Sequence, residues 1–300
     1  MLHKNLAKGG SAMKRIRAVL CLVLALAMII PSEMPAFAAT TMSDDVFVDN
    51  DNGTVQVTFT VDKDTTILIL VDVPSENIDN TKNAHEAARY YYKLTEGKNV
   101  VNIPLTKGPG DYVIRVCKVL TTGKAAVLKS KTVTLSEAKA QEVFDVANMI
   151  VDYQTSEQFI KKAKSLTKKC KTDKAKVKKI YNYIVQNFAY DYELLDVKVA
   201  TSYYTPDNAM TFDRKLGICY DISSLFAAML RSVDVEARVV TGYTPNVKAY
   251  HAWTEVWDAD KEEWYSIDCT YDMCLFNMGS SKKTSMIKKS KDYSDTMYLY

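Results

Sequence analysis

A cysteine, a histidine and an aspartate in the second half of this 300-residue chain are the residues best suited to chemistry. Cys219 directly precedes five apolar residues at helical spacing, which predict an amphipathic helix whose first turn holds the cysteine. These residues are Ile222, Leu225, Phe226, Met229 and Leu230. The free N–H groups and positive dipole end of such a helix stabilise an anion, so they favour the nucleophilic thiolate. Gly217 would permit a sharp turn into the helix.

His251 is the best candidate for a base that could serve this cysteine. Residues 235–243, 250–257 and 264–268 have the composition and spacing of three consecutive strands. A hairpin with a four-residue loop would pair Trp257 with Glu262 and His251 directly with Asp268. Directly opposed residues have Cβ atoms about 4.5–5.5 Å apart, which is close enough for a carboxylate to orient an imidazole.

The three residues would then have separate roles. Cys219 would be the nucleophile, His251 the general base and then acid, and Asp268 the group that fixes the ring tautomer and stabilises the imidazolium. This chemistry is acyl transfer through a thioester. Two other interpretations stay open. One is a structural His–Asp hydrogen bond beside an inert cysteine. The other is a zinc site that adds Cys269 and Cys274, although their spacing matches no common ligand pattern.

Four motifs surround these residues: G-x-C-Y-D at 217–221, A-R-V-V-T-G-Y at 237–243, H-A-W-x-E-V at 251–256 and W-Y-x-I-D-x-T-Y-D at 264–272. Together they resemble the transglutaminase-like superfamily, in particular its secreted bacterial members. The resemblance implies a papain-like core, in which a helix carrying the cysteine packs on an antiparallel sheet carrying the histidine and the aspartate. Cys219, His251 and Asp268 fall on the triad positions of that family.

The resemblance also implies an aromatic donor before the cysteine that helps to bind the oxyanion. Tyr204 or Tyr203 could serve, with the main-chain N–H of Cys219 as a second donor. Trp253 lies on the same strand face as His251, and it could wall an acyl-binding groove or belong to the core. No calcium or other cofactor is implied. The acceptor stays open between an amine, which gives cross-linking, and water, which gives proteolysis or deamidation. Some members only bind, so a catalytically silent surface or scaffold protein is the alternative.

The first 38 residues are typical of a secretory signal peptide. Basic residues precede an apolar run at 18–30, Pro31 breaks the run, and residues 36–38 offer a small-x-small cleavage site. The leader holds five of the 39 basic and one of the 36 acidic residues, so 34 basic and 35 acidic residues remain. This balance removes the main support for a nucleic-acid partner. No other run is apolar enough to span a bilayer. We therefore expect a secreted or cell-surface protein with a protein or peptide substrate, including one in the cell envelope.

The remaining patterns predict an α+β protein with two domains. Six or seven short strands within residues 44–135 indicate an immunoglobulin-like or fibronectin-like β-sandwich that carries no visible chemistry. Residues 136–176 are predicted to be a helical connection, with one helix over 136–153 and two lysine-rich helices that break at Thr172. The lysines are expected to form solvated faces, or else to meet an anionic envelope. Residues 177–300 would form the catalytic domain, ending in a late helix or loop after residue 279.

Overall fold

The computed structural model describes residues 47–49, 52–72, 88–121, 124–140, 142–154, 156–199, 204–282 and 284–300. The predicted signal peptide and Tyr203 lie outside these ranges. The described residues form a mixed structure of helices and strands. Within them, no helix is long and apolar enough to cross a membrane.

The N-terminal part consists of strands β1 (Phe47–Asp49), β2 (Thr54–Val61), β3 (Thr65–Asp72), β4 (Ala88–Leu94), β5 (Gly97–Pro104), β6 (Gly110–Thr121) and β7 (Lys124–Leu135). Its described strands pair antiparallel in two sheets, in the orders β1-β2-β5 and β4-β3-β6-β7. Burial alternates along β4, where Tyr90 and Tyr92 face inward and Lys93 faces solvent. This is the period that a half-buried strand requires. The immunoglobulin-like class of this unit stays a prediction.

The connection differs from the sequence prediction over its first part. The expected helix at 136–153 is limited to α1 (Glu137–Ala140) and a 3-10 turn at Glu142–Asp145. The amide oxygen of Asn148 accepts the main-chain N–H groups of Ile150 and Val151, both at 2.9 Å. Such local side-chain bonds compete with helical hydrogen bonds, so the apolar residues of this stretch are buried without forming a helix.

The two lysine-rich helices are present as α2 (Glu157–Thr167) and α3 (Asp173–Asn187). Thr172 separates them, and its hydroxyl accepts the N–H of Ala175 at 3.3 Å as an N-cap. Phe159 in α2 and Ile180 in α3 are fully buried, whereas most of the lysines are exposed. The arrangement agrees with the prediction of solvated lysine faces.

The C-terminal part places one helix at the centre of a layered unit. It comprises β8 (Ala189–Tyr190), α4 (Tyr192–Val199), α5 (Asn208–Arg214), β9 (Leu216–Gly217), α6 (Cys219–Arg231), β10 (Ala237–Thr244), β11 (Val247–Asp258), β12 (Glu263–Ile267), α7 (Cys269–Asn277) and β13 (Asp295–Leu299). The sheet order is β12-β11-β10-β13, and α6 packs against β10 and β11. Every residue of α6 from Asp221 onward is buried.

Two predictions for this part are corrected. The hairpin pairs Trp257 with Trp264 rather than with Glu262, because Glu262 lies in the turn with a left-handed φ of 54°. The register therefore moves by two residues, which keeps every side chain on its predicted face. The chain end forms strand β13 against β10, where a late helix or loop had been expected.

Candidate active site

Cys219 is the first residue of α6, as the apolar spacing predicted. The short strand β9 leads into the helix and ends at Gly217. A Cβ atom at Gly217 would lie 2.7 Å from the Cβ of Asp221 and 3.2 Å from a methyl carbon of Thr211. Glycine is therefore required here for close packing against the first turn of α6, and the sharp turn predicted from its flexibility is not the main reason.

The first turn of α6 is held by the buried carboxylate of Asp221, which is 1% exposed. One carboxylate oxygen accepts the main-chain N–H of Ile218 at 2.9 Å, and the other accepts the hydroxyl of Tyr204. Burial raises the pKa of Asp221 to about 6, although both hydrogen bonds act in the opposite direction. Tyr204 thus helps to fix the turn that carries Cys219, and its role as an oxyanion donor stays a prediction.

His251 and Asp268 meet as expected, although through a different register. His251 lies in β11, and Asp268 directly follows β12 as the N-cap of α7. His251 Nε2 is 2.9 Å from Asp268 Oδ2, while Oδ1 accepts the N–H of Tyr271 at 2.9 Å. An ionised carboxylate can only accept, so we assign the proton to Nε2, which leaves Nδ1 available to Cys219.

The His251–Asp268 pair is shielded from solvent, with exposed fractions of 4% and 0%. Burial lowers the pKa of His251, but the Asp268 carboxylate and the Cys219 side chain more than offset it and raise the pKa to about 10. Burial also raises the pKa of Asp268. The imidazole of His251, the N–H of Tyr271 and the hydroxyl of Tyr293 more than offset burial, so the pKa is lowered. The Cys219 side chain is close enough to His251 to raise the pKa of the imidazole, so the three residues lie at one site.

Tyr190 is a site residue that the sequence reasoning missed. Strands β8 and β9 pair in parallel, which places Tyr190 opposite Gly217 and beside the start of α6. Burial raises the pKa of this phenol, and its electrostatic interaction with Cys219 adds to the effect. Arg214 supports the neighbouring Asp191 through a salt bridge of 2.9 Å. Tyr190 lies 29 positions before Cys219 in the sequence, so only the pairing of β8 with β9 shows that the two residues are neighbours.

Trp253 is fully buried, so in this conformation it has no exposed surface with which to wall a groove. Its ring makes an edge contact with Tyr293 at 5.2 Å between centroids and belongs to the core. Cys269 is also buried, in the first turn of α7. Among the described residues, no group of three or more His, Cys, Asp or Glu side chains is arranged to hold a metal ion.

The fold and the site together define a mixed α/β domain with a cysteine at the start of a buried helix and a His–Asp pair on the adjoining sheet. Residues 160–269 match the family model of the transglutaminase-like superfamily, and this part of the chain is a transglutaminase-like core domain. The match begins within α2, which lies before the predicted domain limit at residue 177.

Similarity to individual proteins is more distant. The human peptide-N(4)-(N-acetyl-beta-glucosaminyl)asparagine amidase is 33% identical over 95 residues, and the rat enzyme is 32% identical over the same length. The matched stretch covers 30% of this chain but only 14% of the amidase.

Among solved structures, a candidate cysteine protease from Cytophaga hutchinsonii is 16% identical with a TM-score of 0.37, covering 82% of this chain and 84% of that one. The periplasmic domain of TgpA from Pseudomonas aeruginosa is also 16% identical, with a TM-score of 0.36, covering 79% of this chain and 77% of that one.

Proposed function

We propose that this protein is an exported cysteine acyltransferase or hydrolase that acts on peptide amide bonds through a thioester intermediate. The observation that carries the proposal is the meeting of Cys219, His251 and Asp268, each on a separate element of a transglutaminase-like core. Export rests on the leader pattern in the first 38 residues. The two-sheet N-terminal unit would be an immunoglobulin-like docking module for a protein or peptide substrate at the cell surface.

The reaction follows from the positions of the side chains. The Cys219 thiolate attacks the amide carbonyl carbon, and the carbonyl electrons move to oxygen. We assign the main-chain N–H of Cys219 and the hydroxyl of Tyr190, which lies beside the start of α6, as the donors to that oxyanion. His251 then gives a proton to the departing amine, and the C–N bond breaks to leave a thioester. An incoming amine or water loses a proton to His251 and displaces Cys219, which completes the cycle.

A direct test uses residues 39–300 with a glutamine-containing peptide, in the presence and absence of a primary amine. Mass spectrometry should show the amine adduct if transfer occurs, and the deamidated or cleaved peptide if water is the acceptor. Cys219→Ala should abolish either product. Cys170→Ala is the matched control, because Cys170 follows α2 and is not part of the triad. A product that survives in Cys219→Ala would contradict the proposal. Silence with a panel of glutamine and asparagine peptides would favour the alternative of a catalytically silent binding or scaffold protein.

A further inference from the structure

Tyr293 contacts the candidate site from the C-terminal segment of the chain. Its hydroxyl donates to Asp268 Oδ2 at 2.8 Å, and the same oxygen is 2.9 Å from His251 Nε2. The Tyr293 side chain is only 2% exposed, so solvent does not compete for this bond. One carboxylate oxygen therefore holds both the imidazole and the phenol.

The position of Tyr293 is fixed by several independent contacts. Strand β13 begins two residues after it and pairs with β10, with Asp295 opposite Tyr243 and Thr296 opposite Gly242. The Tyr293 ring packs edge-on against Trp253, and the two form a small buried cluster with Val240. The amide of Asn246 lies 3.4 Å from the phenol oxygen. The segment that leads into the last strand thus places the buried hydroxyl of Tyr293 against the Asp268 carboxylate.

This hydroxyl matters because a fully buried carboxylate is costly unless its charge is compensated by donors. Asp268 has three: the N–H of Tyr271 on Oδ1, and His251 and Tyr293 on Oδ2. Donors on both oxygens fix the plane of the carboxylate. The plane in turn fixes the ring of His251, which must keep Nδ1 toward Cys219.

We propose that Tyr293 is a positioning residue for the Cys219–His251–Asp268 site, holding the Asp268 carboxylate ionised and oriented so that it can orient His251. The inference rests on the proposed function, but its main test does not need turnover. Loss of the phenol donor should make Asp268 easier to protonate. The His251–Asp268 pair exists above the pKa of Asp268 and is lost as the pH falls through it. A higher pKa therefore moves that loss to a higher pH.

Other titratable groups surround this pair and must be considered. Cys219 faces His251 from α6, while Tyr181 from α3 and both Cys269 and Cys274 from α7 lie within electrostatic reach of Asp268. None of these four donates a described hydrogen bond to Asp268 Oδ2, which accepts from His251 and Tyr293. A shift specific to Tyr293→Phe is therefore assigned to the lost phenol.

The experiment follows the Nε2–H signal of His251 by NMR in ¹⁵N-histidine-labelled protein, where only three histidines occur in the whole sequence. The pH at which this proton loses the downfield shift of its hydrogen bond to Asp268 should be about one unit higher in Tyr293→Phe than in the wild type, the typical effect of one hydrogen bond on a carboxylate. Tyr112→Phe is the matched control, since this buried tyrosine donates to Gly108 in the N-terminal unit. It should leave the titration unchanged.

Identical titrations of Tyr293→Phe and the wild type would overturn the proposal. In the wild type, the same spectra should contain a protected Tyr293 hydroxyl proton close to the Nε2–H of His251. Its absence would also overturn the proposal, even if the variant failed to fold. Where an active substrate is found, kcat of Tyr293→Phe should fall roughly tenfold with little change in KM, the rate equivalent of one hydrogen bond. An inactive wild type with a shifted NMR titration would reject the proposed function alone.

Discussion

The polar side chains at the candidate site are held in place by hydrogen bonds to one another and to the main chain. His251 bonds to Asp268 through Nε2, which leaves Nδ1 for Cys219 in the proposed mechanism. Asp268 caps α7 with one oxygen and holds the imidazole with the other. Tyr190 lies beside Cys219 because its strand, β8, pairs with β9, the strand just before α6. The side chains of the candidate site are therefore pre-organised by hydrogen bonds within the protein, which form without a substrate.

Asp221 provides a prediction at this scale, because its carboxylate is buried with a pKa raised to about 6. The folded state then holds a proton that the unfolded state releases, so the stability contributed by this group is lost as the pH rises through 4–6. Asp221→Asn keeps an acceptor for Ile218 and removes the charge. Relative to the wild type, the free energy of unfolding of this variant should be higher at pH 7.5 than at pH 4.5 by about 2 kcal/mol.

Urea unfolding at the two pH values measures this difference. Asp213→Asn is the control. Because Asp213 is exposed on α5, this substitution should leave the pH dependence of the free energy of unfolding unchanged. Parallel pH dependence in Asp221→Asn and the wild type would show that burial of the carboxylate carries no such cost.

At the scale of elements, α7 is clamped by the segment that follows it. Lys288 donates to both carboxylate oxygens of Asp272, at 2.7 and 2.6 Å, and the two side chains are 7% and 3% exposed. Tyr181 and Thr284 donate to the same carboxylate at 2.8 and 2.6 Å. Asp272 lies one helical turn after Asp268, so the clamp steadies the helix that Asp268 caps.

Lys288→Met should lower the free energy of unfolding by about 3 kcal/mol, because it leaves the buried charge of Asp272 without its cation. Adding Asp272→Asn should recover most of the loss, since it removes the unpaired charge. The amide oxygen can accept from one of the hydroxyls of Tyr181 and Thr284, and the amide NH₂ can donate to the other. Chemical denaturation of the single and double variants, with exposed Lys289→Met as the control, measures both effects. An additive loss in the double variant would rule out this clamp.

At the scale of the whole molecule, the two predicted domains share one hydrophobic core. A single cluster of buried residues extends from Val55 in β2 to Tyr300 at the end of the sequence. The ring centroid of Tyr90 in β4 lies 5.7 Å from that of Tyr300, and the ring centroid of Tyr300 lies 5.8 Å from that of Tyr220, the neighbour of Cys219. The N-terminal unit therefore supports the helix that carries Cys219, in addition to any docking role.

This contact predicts that the two parts unfold together. Tyr90→Ala should cost about 3–5 kcal/mol, as is typical for a buried aromatic residue. The three tryptophans of the chain are Trp253, Trp257 and Trp264, so fluorescence reports on the C-terminal part alone. The fluorescence midpoint in urea should fall as far as the midpoint followed by circular dichroism. Val100→Ala, at a site 51% exposed in β5, is the control. An unchanged fluorescence midpoint in Tyr90→Ala would mean that the parts are independent.

Much of the fold could be predicted because it depends on local periodicity. The apolar stripe after Cys219 places the helix, and the alternation around Tyr90 and His251 places strands. Two local predictions were wrong for local reasons, namely the side-chain bonds of Asn148 and the left-handed turn at Glu262. Because the resulting shift of the hairpin was an even number of residues, the face of His251 was still correct.

The sequence alone determined which residues could do chemistry and which helices and strands carry them, since helical and strand periods are properties of neighbouring residues. Only the tertiary structure decided which residues surround the sulfur and the carboxylate. Tyr190 is placed at the site by the pairing of two strands of two residues each. Tyr293 precedes a final strand that is too short for its alternation to be recognised in the sequence. Such long-range pairings depend on packing and hydrogen bonding across the whole core, and no local pattern encodes them.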